Sequence, residues 1–151
     1  MMKKIFFALI SVGLSMTIVA STVLSQPAPS QATLDDTVRA YCAAWSELNL
    51  ERRRELLEKV WANEGNYTDP LSHVEGREAL VKLIDGFLQQ YPGSKVVASS
   101  HADFHHGMLR FTWKFIGSDG KTVNEGIDFG VVGSDGKFQQ IVGFFGAIKP
   151  L

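Results

Sequence analysis

Asp69 lies in the run Gly65-Asn66-Tyr67-Thr68-Asp69-Pro70, and a lone carboxylate after an aromatic stretch is a candidate general base. The same hexapeptide also reads as an Asn66-Tyr67-Thr68 glycosylation acceptor and as an Asp-Pro turn. Asp128 sits in mid-strand, in Gly126-Ile127-Asp128-Phe129-Gly130. An acid there either faces water or, turned inward, must raise its pKa or find a partner. Tyr41 lies on an apolar helical stripe, where its hydroxyl needs a hydrogen-bond partner; an amphipathic core tyrosine fits the same description.

Other chemistries find less support. His101, His105 and His106 crowd one strand entry, but adjacent His105 and His106 point to opposite faces of an extended chain. His101 and His105 share parity and could chelate, yet no paired carboxylate motif accompanies them, so neither a metal nor another cofactor is expected. The chain has no Gly-x-Ser-x-Gly elbow, phosphate loop or dinucleotide fingerprint. Cys42, the only cysteine, sits on the helical stripe of Tyr41 and reads as a small buried hydrophobe rather than a nucleophile.

Three helices and then a series of strands must position these groups. Leu34, Val38, Tyr41, Cys42, Trp45 and Leu48 form one helical face, with Thr33 or Asp35 as its cap. Asn49 can cap a second helix with Leu56, Leu57, Val60 and Trp61 inward. A third is expected from about Glu75 to Tyr91, stopped by Pro92-Gly93. Leu109, Phe111, Trp113 and Phe115 alternate with polar or flexible neighbours, as do residues 123–132, and Phe138 to Phe145 continues as a strand, with a weaker one over Lys95 to Ala102. Gly-Ser-Asp-Gly-Lys occurs at 117–121 and again at 133–137, and its Asp-Gly supplies the positive-φ positions of a hairpin turn. Strands joined in sequence after three helices make an α+β domain with helices on one sheet face. Phe144 and Phe145 must point to opposite faces, so the outer sheet face also carries apolar groups.

The amino terminus has the layout of a secretory signal. Lys3 and Lys4 precede an uncharged run from Ile5 to Leu24, and cleavage after Ala20 or Ser25 is expected. Residues 1–25 are therefore assigned to a leader, 26–32 to a disordered spacer and 33–151 to the domain, with a periplasmic or secreted destination; an uncleaved leader would instead be a membrane anchor. All 16 acidic residues lie beyond the leader, against 13 of the 15 basic ones, leaving a net charge of −3. The one basic cluster, Arg52-Arg53-Arg54, reads as the solvated face of a helix, so no nucleic-acid partner is expected.

Tyr41-Cys42-Ala43-Ala44-Trp45, Tyr67-Thr68-Asp69-Pro70, Val74-Glu75-Gly76-Arg77-Glu78-Ala79-Leu80, Gly126-Ile127-Asp128-Phe129 and the ending Ile141 to Gly146 together resemble the nuclear transport factor 2-like superfamily, in its SnoaL-like and ketosteroid-isomerase-like branch. The resemblance spans about residues 33–146 and implies a cone: a curved antiparallel sheet wrapped around three helices, an apolar pocket inside, and often a homodimer across the outer sheet face. It further implies catalytic roles for Asp69, Tyr41 and Asp128. Asp69 would remove a proton α to a carbonyl, while Tyr41 and a protonated Asp128 hydrogen-bond the enolate oxygen. In the cyclase variant Asp128 would work with His101, His105 or His106. Trp45, Trp61, His106 and Arg110 are the expected pocket-lining residues. The function so implied is proton transfer, by isomerisation or cyclisation, on a small apolar carbonyl compound, or alternatively non-catalytic binding of a hydrophobic ligand or dimerisation.

Overall fold

The computed structural model describes residues 29–148, 150 and 151; the expected leader and residues 26–28 of the spacer lie outside the described residues. The elements run α1 (Gln31–Ala44), α2 (Leu50–Val60), β1 (Trp61–Thr68), β2 (His73–Glu75), α3 (Arg77–Gln90), β3 (Lys95–Ala98), β4 (Asp103–His105), β5 (Met108–Ile116), β6 (Thr122–Val132) and β7 (Phe138–Phe145). The strands form one seven-stranded sheet in the order β2-β1-β7-β6-β5-β3, with β4 also on β5. Three helices against a curved, open sheet is the α+β cone that the sequence leads one to expect.

The sheet is mixed rather than purely antiparallel, because β1 runs parallel to β7. Strand β1 replaces the end of the expected second helix: α2 stops at Val60 and Trp61 opens the strand. Two local features hide this strand from period-2 reading. Its register against β7 shifts between Trp61 and Asn66, and the Trp61 indole folds back over Gly65, donating from Nε1 to the Gly65 carbonyl at 3.3 Å. A Cβ on Gly65 would lie 2.6 Å from Trp61 Nε1, so only glycine fits beneath the ring.

Caps explain the helix boundaries. Asn49 caps α2 as expected, accepting from Arg52 N at 3.0 Å. Ser30, not Thr33 or Asp35, caps α1 and accepts from Thr33 N, so the helix begins two residues before the assigned domain start. Asp35 is instead turned inward, where it accepts from the Ala102 N–H at 2.9 Å and pairs with His101 Nδ1 at 2.7 Å. These contacts hold its carboxyl down at a pKa of about 2.

The three arginines of α2 do not share one face. Arg52 is exposed and Arg54 pairs with Glu51 and Glu78. Arg53 is fully buried: Nε donates to the Glu47 carbonyl and Nη1 to Asp85 Oδ1, both at 3.0 Å, with a longer bond to the Val81 carbonyl. It therefore ties α2 to α3 and to the turn that follows α1.

Both Gly-Ser-Asp-Gly-Lys repeats form hairpin turns. Gly120 and Gly136 take φ of 79° and 77°, and each turn is closed by the N–H of its first glycine on its lysine carbonyl at 2.9 Å. Alternation on the strands then sorts the faces. Leu109, Phe111, Trp113 and Phe115 point to the helices, while Phe129 and Phe144 meet edge to face on the exposed side. Among the described residues no helix is long and apolar enough to cross a membrane.

Candidate functional site

Between the helices and the concave sheet face lies a cavity of about 580 Å³ with largely aromatic walls. Tyr41 from α1, Asp69 from the loop after β1 and Asp128 from β6 all line it, together with Trp45. Elements far apart in the chain thus bring the three candidate catalytic groups to one space.

Asp128 is seated by its neighbours in the sheet. Even-numbered residues of the run 126–130 face inward, so the carboxyl is buried, with 3 % exposure. It stands opposite Phe111 on β5 and Gly143 on β7. Gly126 leaves the space in which the Trp113 indole lies, since a Cβ there would come within 2.5 Å of the ring. Trp113 Nε1 reaches along the sheet and donates to Asp128 Oδ1 at 2.7 Å. Burial raises the Asp128 pKa to about 7; the Trp113 hydrogen bond opposes the rise and the nearby Asp69 charge adds to it. At pH values below about 7 the group is therefore mostly a neutral donor inside an apolar space.

Asp69 has a different setting. Its Oδ1 accepts from Leu71 N and Ser72 N, both at 2.7 Å, and its own N–H donates to the Ser72 carbonyl at 2.9 Å. Pro70, which has no N–H, fits this carboxylate-closed turn. The second oxygen, Oδ2, accepts from the Tyr67 hydroxyl at 2.8 Å. A carboxylate oxygen has two lone pairs, so Oδ2 keeps one for another donor.

Tyr41 is buried at 2 % exposure and stacks on Trp61, with ring centroids 5.8 Å apart. Its pKa is pushed well above the usual value, first by burial and then by the Asp128 carboxylate when that is ionised, so the hydroxyl stays protonated. Trp45 stands edge-on to the Tyr41 ring, and its Nε1–H, buried, has no acceptor in hydrogen-bond geometry. Cys42 also lines the cavity, but burial and Asp128 push its thiol up, away from a nucleophilic thiolate.

Of the four residues expected to line the pocket, only Trp45 does so. Trp61 is fully buried behind Tyr41, held there by its bond to Gly65. Arg110 falls on the outward parity of β5 and pairs with Asp103 at 2.9 Å. His106 occupies the exposed β4–β5 turn with φ of 50°. His101 is bound to Asp35, and no histidine among the described residues lines the cavity. The Asp-with-His pair of the cyclase variant is consequently not assembled around Asp128. No group of three potential metal-ligating side chains occurs among the described residues.

Four contributors escaped sequence reading. Tyr67 shares strand parity with Asp69, a signal present in Tyr67-Thr68-Asp69. Trp113 and Gly126 could be paired by folding the chain about the 117–121 turn. Gly143 needs the β6–β7 register and has no local signal.

Comparison with known proteins follows the same lines. The family model for the SnoaL-like domain matches residues 38–141. A candidate isomerase of the SnoaL-like family from Agrobacterium tumefaciens str. C58 is 33 % identical over 77 % of this chain and 99 % of its own, with a TM-score of 0.72. A candidate SnoaL-like polyketide cyclase from Jannaschia sp. CCS1 is similar in fold, at 14 % identity over 80 % of this chain and 90 % of its own, with a TM-score of 0.61. A candidate polyketide cyclase from Sinorhizobium meliloti aligns at 16 % identity over 76 % of this chain and 98 % of its own, with a TM-score of 0.56. No curated protein matches the chain. With the aromatic cavity, the cone and the matched span in agreement, the chain belongs to the SnoaL-like domain family.

Proposed function

We propose that this SnoaL-like chain is an acid–base enzyme that moves a proton at the carbon next to the carbonyl of a small apolar compound, leading to isomerisation or ring closure. The observation that carries the reading is the buried Asp128 carboxyl, with a pKa of about 7, sharing one apolar cavity with the hydrogen-bonded carboxylate of Asp69. Two carboxyls in such different settings suit opposite roles. Asp69 takes the α-proton through the free lone pair of Oδ2. Protonated Asp128 and the Tyr41 hydroxyl donate to the oxygen on which negative charge develops, and the aromatic walls around them strengthen both bonds. The names of the Agrobacterium and Jannaschia relatives, a candidate isomerase and a candidate polyketide cyclase, fit this class of chemistry. The same reading places the protein outside the cytoplasm, through the basic and apolar amino terminus, and pairs two copies across the sheet face that carries Phe129 and Phe144.

Exchange of α-protons in deuterated water, followed by NMR over a panel of apolar ketones, tests the proposal. Wild-type protein accelerates exchange for at least one ketone, and Asp69→Asn lowers that rate by about 100-fold or more. Acceleration that survives Asp69→Asn would remove the base. One observation favours a second reading, a non-catalytic carrier of hydrophobic ligands: Asp69 already takes three hydrogen bonds from its own chain. A carrier retains a bound apolar molecule and accelerates no exchange.

A further inference from the structure

Helix α3 contributes an unusual wall to the cavity. Lys82, Gly86 and Gln90 are spaced at i, i+4 and i+8, so they form one row on the helix, and all three line the cavity. Gly86 lies in the interior of α3, where glycine is destabilising relative to alanine. Neither usual reason for an interior glycine applies. Its backbone is helical rather than left-handed, and a Cβ built on it meets no atom within 4 Å. All three residues of the row are exposed, so what the missing side chain leaves is bare backbone at the open, solvent-reached side of the cavity. At one end of this row stands Lys82, the only cation among the described residues lining the cavity, and at the other the Gln90 amide. The carboxyls of Asp69 and Asp128 lie elsewhere on the same wall set, so the cavity has one cationic flank and one acidic region.

We propose that the Lys82–Gly86–Gln90 row is a specificity subsite: the ligand body lies on the bare backbone at Gly86 and an oxyanion group of the ligand pairs with Lys82. This deepens the reading of the cavity as a ligand site and rests on it, narrowing the substrate class to apolar carbonyl compounds that carry an acidic group. The ammonium is exposed, so its pairing is worth a factor of a few rather than orders of magnitude, and weakens with salt.

A matched pair of fluorescent probes tests the subsite: 1-anilinonaphthalene-8-sulfonate and N-phenyl-1-naphthylamine, the same skeleton with and without its anion. Lys82→Gln weakens the sulfonate by about 3- to 5-fold and leaves the neutral amine unchanged. Gly86→Leu weakens both by about tenfold or more, because its side chain fills the space the ligand body needs. Gly86→Ala raises the thermal midpoint by roughly 4 °C while weakening both probes, which separates lost binding from lost folding. Phe144→Ser, on the outer sheet face, changes neither affinity. If Lys82→Gln leaves the ratio of the two affinities unchanged while Gly86→Leu still weakens both, the anionic subsite is overturned and the cavity reading stands. If Gly86→Leu changes nothing, or Phe144→Ser releases the probes, they sit outside the cavity and the subsite is overturned with them. If wild-type protein binds not even the neutral amine, the cavity reading itself falls and takes the subsite with it.

Discussion

Gly143 stands directly across the β6–β7 ladder from Asp128, and a Cβ on it would lie 2.8 Å from Asp128 Oδ1 and 3.7 Å from the Asp69 Cβ. The absence of a side chain at one position thus makes the seat of the buried carboxyl and brings the two acids around the same point. Gly143→Ala should displace the carboxyl from Trp113 and cost about 1–3 kcal/mol of stability. Chemical denaturation measures the cost, and carboxyl NMR follows the Asp128 titration. An alanine variant with wild-type stability and an unmoved Asp128 titration would show that the contact is not limiting.

The pKa of Asp128 gives stability a defined pH dependence. Folding raises it from an ordinary 3.8 to about 7. Between these values the unfolded chain has released the proton that the folded chain still holds, so stability falls as pH rises from about 4 to about 7 and the loss is complete above that. The full loss is at most roughly 4 kcal/mol. Asp128→Asn keeps an acceptor for Trp113 and cannot ionise, so it should remove this slope and exceed the wild type in stability at pH 8. Urea titrations of both proteins at pH 5 and pH 8 check it, and parallel pH profiles would contradict it.

Tyr67 and Asp69 should be energetically coupled. The hydroxyl of Tyr67 is buried with its ring and donates to a carboxylate oxygen at 2.8 Å. A double-mutant cycle of Tyr67→Phe and Asp69→Ala is expected to show about 1–2 kcal/mol of coupling. Asp69→Ala alone should be the costlier single change, because it also removes the side-chain acceptor that closes the turn on the Leu71 and Ser72 N–H groups. Additive effects would mean that the bond contributes nothing to stability.

Arg53→Met should destabilise by about 2–4 kcal/mol despite a good match in length. The variant removes the donor to the part-buried Glu47 carbonyl and the second donor to the Val81 carbonyl, which keeps its own helical bond, and breaks the tie between α2 and α3, whereas Asp85, half exposed, can rehydrate. Arg52→Met, on the exposed side of the same helix, should stay within about 0.5 kcal/mol of the wild type. Thermal melts of the two variants compare a buried and a solvated arginine one residue apart.

Much of this was legible because it is local. The helical stripe through Val38, Tyr41 and Cys42, the Asn49 cap and the two Gly-Ser-Asp-Gly-Lys turns each depend on residues within a few positions of one another. The strand β1 was not, since its shifted register and the folded-back Trp61 break the alternation that would reveal it. Arg53 was misplaced for a related reason: three adjacent arginines look alike in sequence, and only packing of α2 against α3 separates the one that turns inward.

The sequence by itself determined which groups are the candidates for chemistry: Tyr41, Asp69 and Asp128 are recognisable by type, by neighbouring residues and by family resemblance. Tertiary structure alone decided their surroundings. The inward turn of Asp128, its pKa near 7, its bond to Trp113 and the space left by Gly143 all follow from the register of β5, β6 and β7, which is a relation between distant segments. The same register and turn geometry place Arg110 and His106 outside the cavity and exposed. A residue's type states what it can donate or accept; whether it meets water or another side chain is set by which strands lie beside it.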